Sequence, residues 1–288
     1  MPVDYNFSLD GVEFGIGNPV TVETFDTGTA EWRVQDQSHP VRNARVFGRD
    51  FLDGPVWTFN MSTDKEDPEG SLETLEQLAT VWRKGTELAP GEVMALSYGV
   101  GGRERRIYGR PREWAAPVSN LLLGGYVPIT ANFVTADPLH YSEESFSHTV
   151  DILAATTGGF VFPAYFPLQI MSTGGTRQGF LTVGGNVPTY PVVRFNGPVV
   201  DPFVEAEGWR LGLNLNIGDN EYVIIDTQPW AMTVMRNKYT SVAGYLMPGT
   251  RLADARLRPG TQELIFGGMS PSGTAQCIVS WRSAWWSL

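Results

Sequence analysis

From position 209 to 217 the chain alternates without a slip. Trp209, Leu211, Leu213, Leu215 and Ile217 are apolar, and Arg210, Gly212, Asn214 and Asn216 stand between them. Successive side chains of a β-strand point to opposite faces, so this pattern buries one face and wets the other. The rhythm recurs at 129–134, where Ile129, Ala131 and Phe133 share one face and Thr130, Asn132 and Val134 the other. That strand stops at Asp137-Pro138, because proline removes a ladder donor and pushes its predecessor into an extended or turn conformation. A second block of strands follows, so the segment 129–142 reads as the end of one β domain and the start of another.

Further strands are expected at 5–14, 20–25, 32–35, 56–62, 94–98, 105–114, 222–225, 232–236, 264–266 and 276–281, punctuated by Gly and Pro turns. One helix interrupts them. Leu72, Leu75, Leu78, Ala79 and Trp82 recur at spacings of three and four, Ser71 is placed to cap the start, and Gly85 to stop it in a left-handed conformation. The fold class expected is mainly β, with two sandwich-like domains: residues 1–142, carrying the helix, and residues 143–288. At 288 residues each domain can bury a core of its own.

The formal charge of −10 argues against a nucleic-acid groove, since phosphate binding needs local positive charge. The basic cluster Arg103, Arg105 and Arg106, with Glu104 in its midst, reads as a solvated hairpin tip. The single cysteine, Cys277, cannot form an internal disulfide and lies in a strand pattern as apolar filling. Asp4, Asp10 and Glu13 occupy the place where a signal peptide would be basic and then apolar, and no apolar run approaches the roughly 18 residues that span a bilayer. The expectation is a soluble protein made in a reducing cytoplasm.

No constellation of residues demands chemistry. His39, His140 and His148 have no metal-ligand spacing, and Cys277 is far from all three in sequence. The Gly15 to Gly17 pair precedes Asn18-Pro19 rather than a helix, so it does not place a phosphate on a helix N-terminus. Asp226 follows a buried run and suits a turn role, and the acidic stretch 64–69 suits a solvated loop. No catalytic, metal or cofactor residue is expected.

Several stretches together resemble the distal tail proteins of siphophages, also called minor tail proteins. In the first block they are Phe47-Gly48-Arg49-Asp50, Gly54-Pro55-Val56-Trp57-Thr58-Phe59, the helix, and Phe133 through Ala136-Asp137-Pro138 to Tyr141-Ser142. In the second they are Asn186-Val187-Pro188-Thr189-Tyr190-Pro191, Gly197, Asp201-Pro202, Gly218-Asp219, Ile225-Asp226-Thr227, Pro259-Gly260 and Trp281-Arg282. The resemblance implies an N-terminal β domain that closes a hexameric ring and a galectin-like C-terminal sandwich facing outward. The ring would join the tail tube to the tip hub and its receptor-binding parts. It implies a virion structural protein of the phage tail tip, assembled in the bacterial host cytoplasm. Its partners would be other copies of itself, the tail tube, the tape measure and the hub, with no stable nucleic-acid binding and no catalytic residues.

Arg103, Arg105 and Arg106 are the residues expected to reach the neighbouring copy. Two stretches depart from the pattern: 156–176 is long for a sandwich connection, and Trp281, Trp285 and Trp286 crowd the end. The rival reading is a galectin-type carbohydrate-binding protein using Arg194, Asn196 and Trp209, and a cell-wall hydrolase is a third.

Overall fold

The computed structural model describes residues 5–63, 67–152 and 175–288. The chain divides into two compact units, Met1–Glu143 with Trp285–Leu288, and Glu144–Ala284. Among the described residues both are built mainly of strands, and there is one α-helix. The stretch expected to be a long connection, 156–176, falls almost wholly outside the described residues.

In the first unit β1 (Asn6–Leu9), β2 (Val12–Gly15) and β3 (Val20–Asp26) lead into four two-residue strands: β4 (Trp32–Arg33), β5 (Gln37–Ser38), β6 (Arg45–Val46) and β7 (Phe51–Leu52). Next come β8 (Val56–Thr63), α1 (Pro68–Arg83), β9 (Met94–Val100), β10 (Arg103–Ala115), β11 (Pro128–Thr135) and β12 (His140–Ser142). One sheet runs β2-β1-β9-β10-β11-β8-β3, with β12 beside β10. Its two edge strands, β2 and β3, are consecutive in sequence and lie close together, so the sheet curls around its contents.

Those contents are aromatic. Phe7, Phe14, Trp57 and Phe59 are fully buried, and Phe59 meets Phe7 edge-on at 5.2 Å. The helix closes the open side with Leu78, Val81 and Trp82 buried in the same core.

Three local expectations are corrected. Residues 5–14 form a hairpin and not one strand: Asp10-Gly11 turns the chain with φ of 50° and 81°, which glycine adopts without strain and aspartate tolerates. The helix begins at Pro68, with Asp67 as its cap. The Asp67 carboxylate accepts from the Gly70 amide at 2.6 Å, while Ser71 is buried one turn inside. Gly85 has ordinary φ and is no left-handed stop. It is needed for space, because a Cβ there would sit 2.6 Å from the Pro111 carbonyl oxygen.

The second unit is a two-sheet sandwich. Its strands are β13 (Phe146–Asp151), β14 (Gly175–Val183), β15 (Val192–Asn196), β16 (Val199–Ala206), β17 (Trp209–Gly212), β18 (Asn216–Ile217), β19 (Tyr222–Asp226), β20 (Thr233–Arg236), β21 (Thr240–Ser241), β22 (Gly260–Met269) and β23 (Gln276–Trp281). A last short strand, β24 (Ala284–Trp285), spans the point where the chain leaves this unit. One sheet runs β13-β23-β15-β19-β20-β21 and the other β14-β22-β16-β17, with β18 also on β16. Phe195 of one sheet stacks on Phe266 of the other at 5.8 Å, and alternate residues of β15, β19 and β23 are buried between them.

The alternation at 209–217 does face one core, with Leu211, Leu213 and Ile217 fully buried. It is two strands along β16 and not one. The ladder shifts between Val200 and Phe203, where Asp201 has φ of 52° and its amide donates to the Leu215 carbonyl at 3.0 Å.

Candidate functional site

The tip of the β9–β10 hairpin is Gly101-Gly102, and the expected arginines lie just behind it on β10. Only Arg103 is solvated there. Arg105 is 7% exposed, against the expectation of a solvated tip. Its guanidinium donates to the Ser287 carbonyl and lies 4.3 Å from the centre of the Trp285 ring. Arg103 donates to the Leu288 carbonyl at 2.9 Å. Arg106 grips Glu143 with both sides of its fork, through Nε at 3.0 Å and through Nη2. All three therefore have partners within their own unit, and two of them pin the segment 285–288.

The histidines do not meet. His39 accepts from the Val41 amide at 3.2 Å, and His148 lies on β13 of the other unit. His140 is buried beside Tyr98, whose hydroxyl is 2.6 Å from its Nδ1. Burial, with Arg105 adding to it, drives the imidazole down to about 4, so it is neutral at pH 7. Among the described residues no group of three or more His, Cys, Asp or Glu side chains could hold a metal ion. Cys277 is fully buried and its thiol is pushed upward by that burial, which keeps it from forming a nucleophilic thiolate. The Asp226 carboxylate accepts from the Gln228 amide at 2.9 Å, a turn role.

The residues of the sugar-binding alternative are not gathered. Arg194 and Asn196 share a 2.7 Å hydrogen bond on β15, but Trp209 is on β17 in the other sheet, buried, its indole N–H given to the Arg256 carbonyl at 2.9 Å. The tryptophan-rich end is divided as well. Trp281 is buried against Phe146, Trp285 is covered by Arg105, and Trp286 is half exposed.

What stands out instead is the excursion between β3 and β8. From Glu31 to Phe51 no side chain is buried, and only Asp36 and His39 are even half covered. Two short antiparallel ladders, β4 with β7 and β5 with β6, hold it as an arm. Arg33 bridges to Asp53 at 2.8 Å across its base, and Arg33 and Arg49 both lie over the Phe51 ring. The arm exposes Trp32, Val34, Val41, Val46 and Phe47, with Val41 85% and Phe47 76% accessible. Exposed apolar side chains on a segment without a core of its own make the arm the candidate interaction surface of this unit.

Sequence reasoning assigned a strand at 32–35 and found Phe47-Gly48-Arg49-Asp50 as a resemblance, but not the arm. The available signal was Trp32 and Phe47 lying in a stretch with neither helical nor strand period.

No protein-family model matches the sequence, and no curated protein matches it either. Solved structures do. The Dit protein of phage SPP1, described as a paradigm of the hub adsorption apparatus in phages infecting Gram-positive hosts, aligns over 97% of this chain and 98% of its own, with TM-score 0.58 and 11% identity. A chain of the phage P2 baseplate, in its activated conformation with calcium, aligns over 96% of this chain and 97% of its own, with TM-score 0.54 and 10% identity. The same baseplate with strontium gives the same values. The likeness shows a shared fold across both units.

Proposed function

We propose that the chain is a structural protein of a phage tail tip, of distal-tail type. It forms a ring that joins the tail tube to the hub and receptor-binding parts. The observation that carries this reading is the end-to-end alignment with a hub protein, which leaves almost nothing of either chain unmatched. Two further features support it. The arm offers a second copy an exposed apolar surface, and at about 3.3 Å per residue the stretch from Ala30 to Val41 can reach at most about 35 Å from the sheet. Among the described residues no cluster of side chains is suited to catalysis, and we read the chain as a non-enzyme.

The hairpin arginines are committed within the chain, and we therefore assign the neighbour contact to the arm. A galectin-type role is not favoured, because Arg194 and Asn196 stand on one sheet and Trp209 on the other. The tail tube, tape measure and hub as partners, and the virion as location, follow from the same reading.

Native mass spectrometry of the purified protein tests it. A hexamer of the 31.7 kDa chain gives 6 × 31.7 kDa, about 190 kDa. A protein that stays a single chain at every concentration would sink the ring.

A further inference from the structure

The connection between β10 and β11 is a second place in the first unit where apolar side chains gather at the surface. Val118, Leu121 and Leu123 are 58%, 54% and 80% accessible. The backbone that carries them is braced. Ser119 accepts from the Leu121 amide at 3.3 Å, and the Gly125 carbonyl takes hydroxyl donors from Ser71 at 2.6 Å and Thr63 at 3.0 Å. The Val127 amide closes the set on Thr63 at 2.9 Å. Leucines held outward on a fixed backbone are preorganised for contact, because little ordering remains to be done on binding.

We propose that residues 117–124 are the seat on which the arm of a second copy docks. The proposal rests on the ring reading and names the two surfaces that close it. The arm and the seat are unlike, both apolar and both bare within one chain. Joining unlike patches of successive copies is a heterologous contact, which generates a ring when the rotation closes.

Charge selects the same partner. Residues 37–49 of the arm carry Arg42, Arg45 and Arg49 and no acid of their own. Asp36 just before them lies 3.7 Å from Arg45, which leaves Arg42 and Arg49 as the charges the stretch offers a partner. The seat itself is uncharged, but carboxylates flank it. Glu23 holds the Tyr126 hydroxyl at 3.0 Å, and Asp67 and Glu69 open the helix that Ser71 ties to Gly125. In a chain with a formal charge of −10 most pairs of surfaces repel, whereas the basic stretch of the arm and an acid-rimmed seat attract.

The test is cross-linking in the full chain. Cys277 is buried, so cysteines introduced at the surface are the accessible thiols. Val41→Cys or Phe47→Cys, each combined with Leu123→Cys, should give with a short bismaleimide a ladder of covalent multimers ending at the ring. A cysteine at 41, 47 or 123 alone should give none. A second variant, Leu121→Asp with Leu123→Asp, should keep the circular dichroism spectrum of the folded chain, since both side chains are exposed, yet lose the ring peak in native mass spectrometry. If the protein forms a ring but neither double variant cross-links, or if the aspartate variant still forms the ring, the seat is wrong and the ring reading stands. Dimers from the 41 or 47 single variants would show arms pairing with each other and overturn the proposal. A protein that is monomeric throughout overturns both readings.

Discussion

Asp137 lies in the turn after β11 and His140 opens β12, and burial moves their pKa values in opposite directions. Asp137 is pushed up to about 6 by burial, against the pull of hydrogen bonds from the Tyr141 hydroxyl and the Leu139 amide, while His140 is lowered to about 4. The signs follow from proton uptake. Between the ordinary carboxylate value of 3.8 and 6 the folded state holds a proton on Asp137 that the unfolded chain has lost, so this stability is full at low pH and disappears as pH rises through about 6. Between about 4 and the ordinary 6.5 the unfolded chain protonates a histidine that the fold keeps neutral. That stability is full above 6.5 and is lost as pH falls toward 4. Each shift of about two units corresponds to about 3 kcal/mol, so the two contributions nearly cancel over this window. Removing one should expose the other. Asp137→Asn should make stability rise with pH in urea melts between pH 4.5 and 7, and His140→Asn should make it fall. Parallel profiles for the two variants would show that neither group is as buried as the structure has it.

At the level of elements, α1 gives a graded test of packing. Leu78 is 1% exposed in the aromatic core, Leu75 packs partly against it, and Leu72 lies toward solvent. Leu78→Ala should therefore cost about 2–5 kcal/mol in denaturant melts. Leu72→Ala should change stability by no more than about 0.5 kcal/mol. Equal effects at the two positions would contradict the orientation of the helix. The three-and-four spacing of the leucines made this helix legible in the sequence, because burial on one side imposes that period directly. Its ends were less legible. Ser71 and Asp67 are both competent caps, and the choice depends on Ser71 being drawn inward by the Gly125 carbonyl, a residue 54 positions away. Gly85 looked like a stop because its value as empty space beside Pro111 exists only after β10 has packed there. The strands show the same division. Alternation marked 129–134 and 209–217 as one-sided, but the turn at Asp10-Gly11 and the bulge at Asp201 leave the apolar count nearly unchanged and so escaped it.

For the whole molecule, periodicity reports what one chain buries in itself. Strands in both units were visible by that signal, but not the return of residues 285–288 to the first unit, nor the arm, whose Trp32, Val41 and Phe47 stand exposed. The candidate site suffered most from this. The arginines of β10 drew notice as a basic cluster, yet Arg105 serves to hold the Ser287 carbonyl, and the arm that we propose meets a neighbour lay in a stretch without pattern. Net charge, by contrast, survives assembly and bears on what can pass through a ring. Six copies at −10 carry a formal 6 × −10 = −60. A conduit for DNA requires weak affinity for it, because a lumen rich in Arg and Lys would hold phosphates and stall passage. The basic stretch of the arm is one exception to the acidic surface, and docking on an acid-rimmed seat would neutralise it in the ring. The assembled protein should then leave duplex DNA unshifted in a gel at about 50 mM salt, where electrostatic binding is strong if it exists. The Leu121→Asp, Leu123→Asp variant, with its arms released, should bind at least as much DNA as the ring does. A clear shift by the intact ring would show exposed arginines in the assembly and would rule out a passive, acidic conduit.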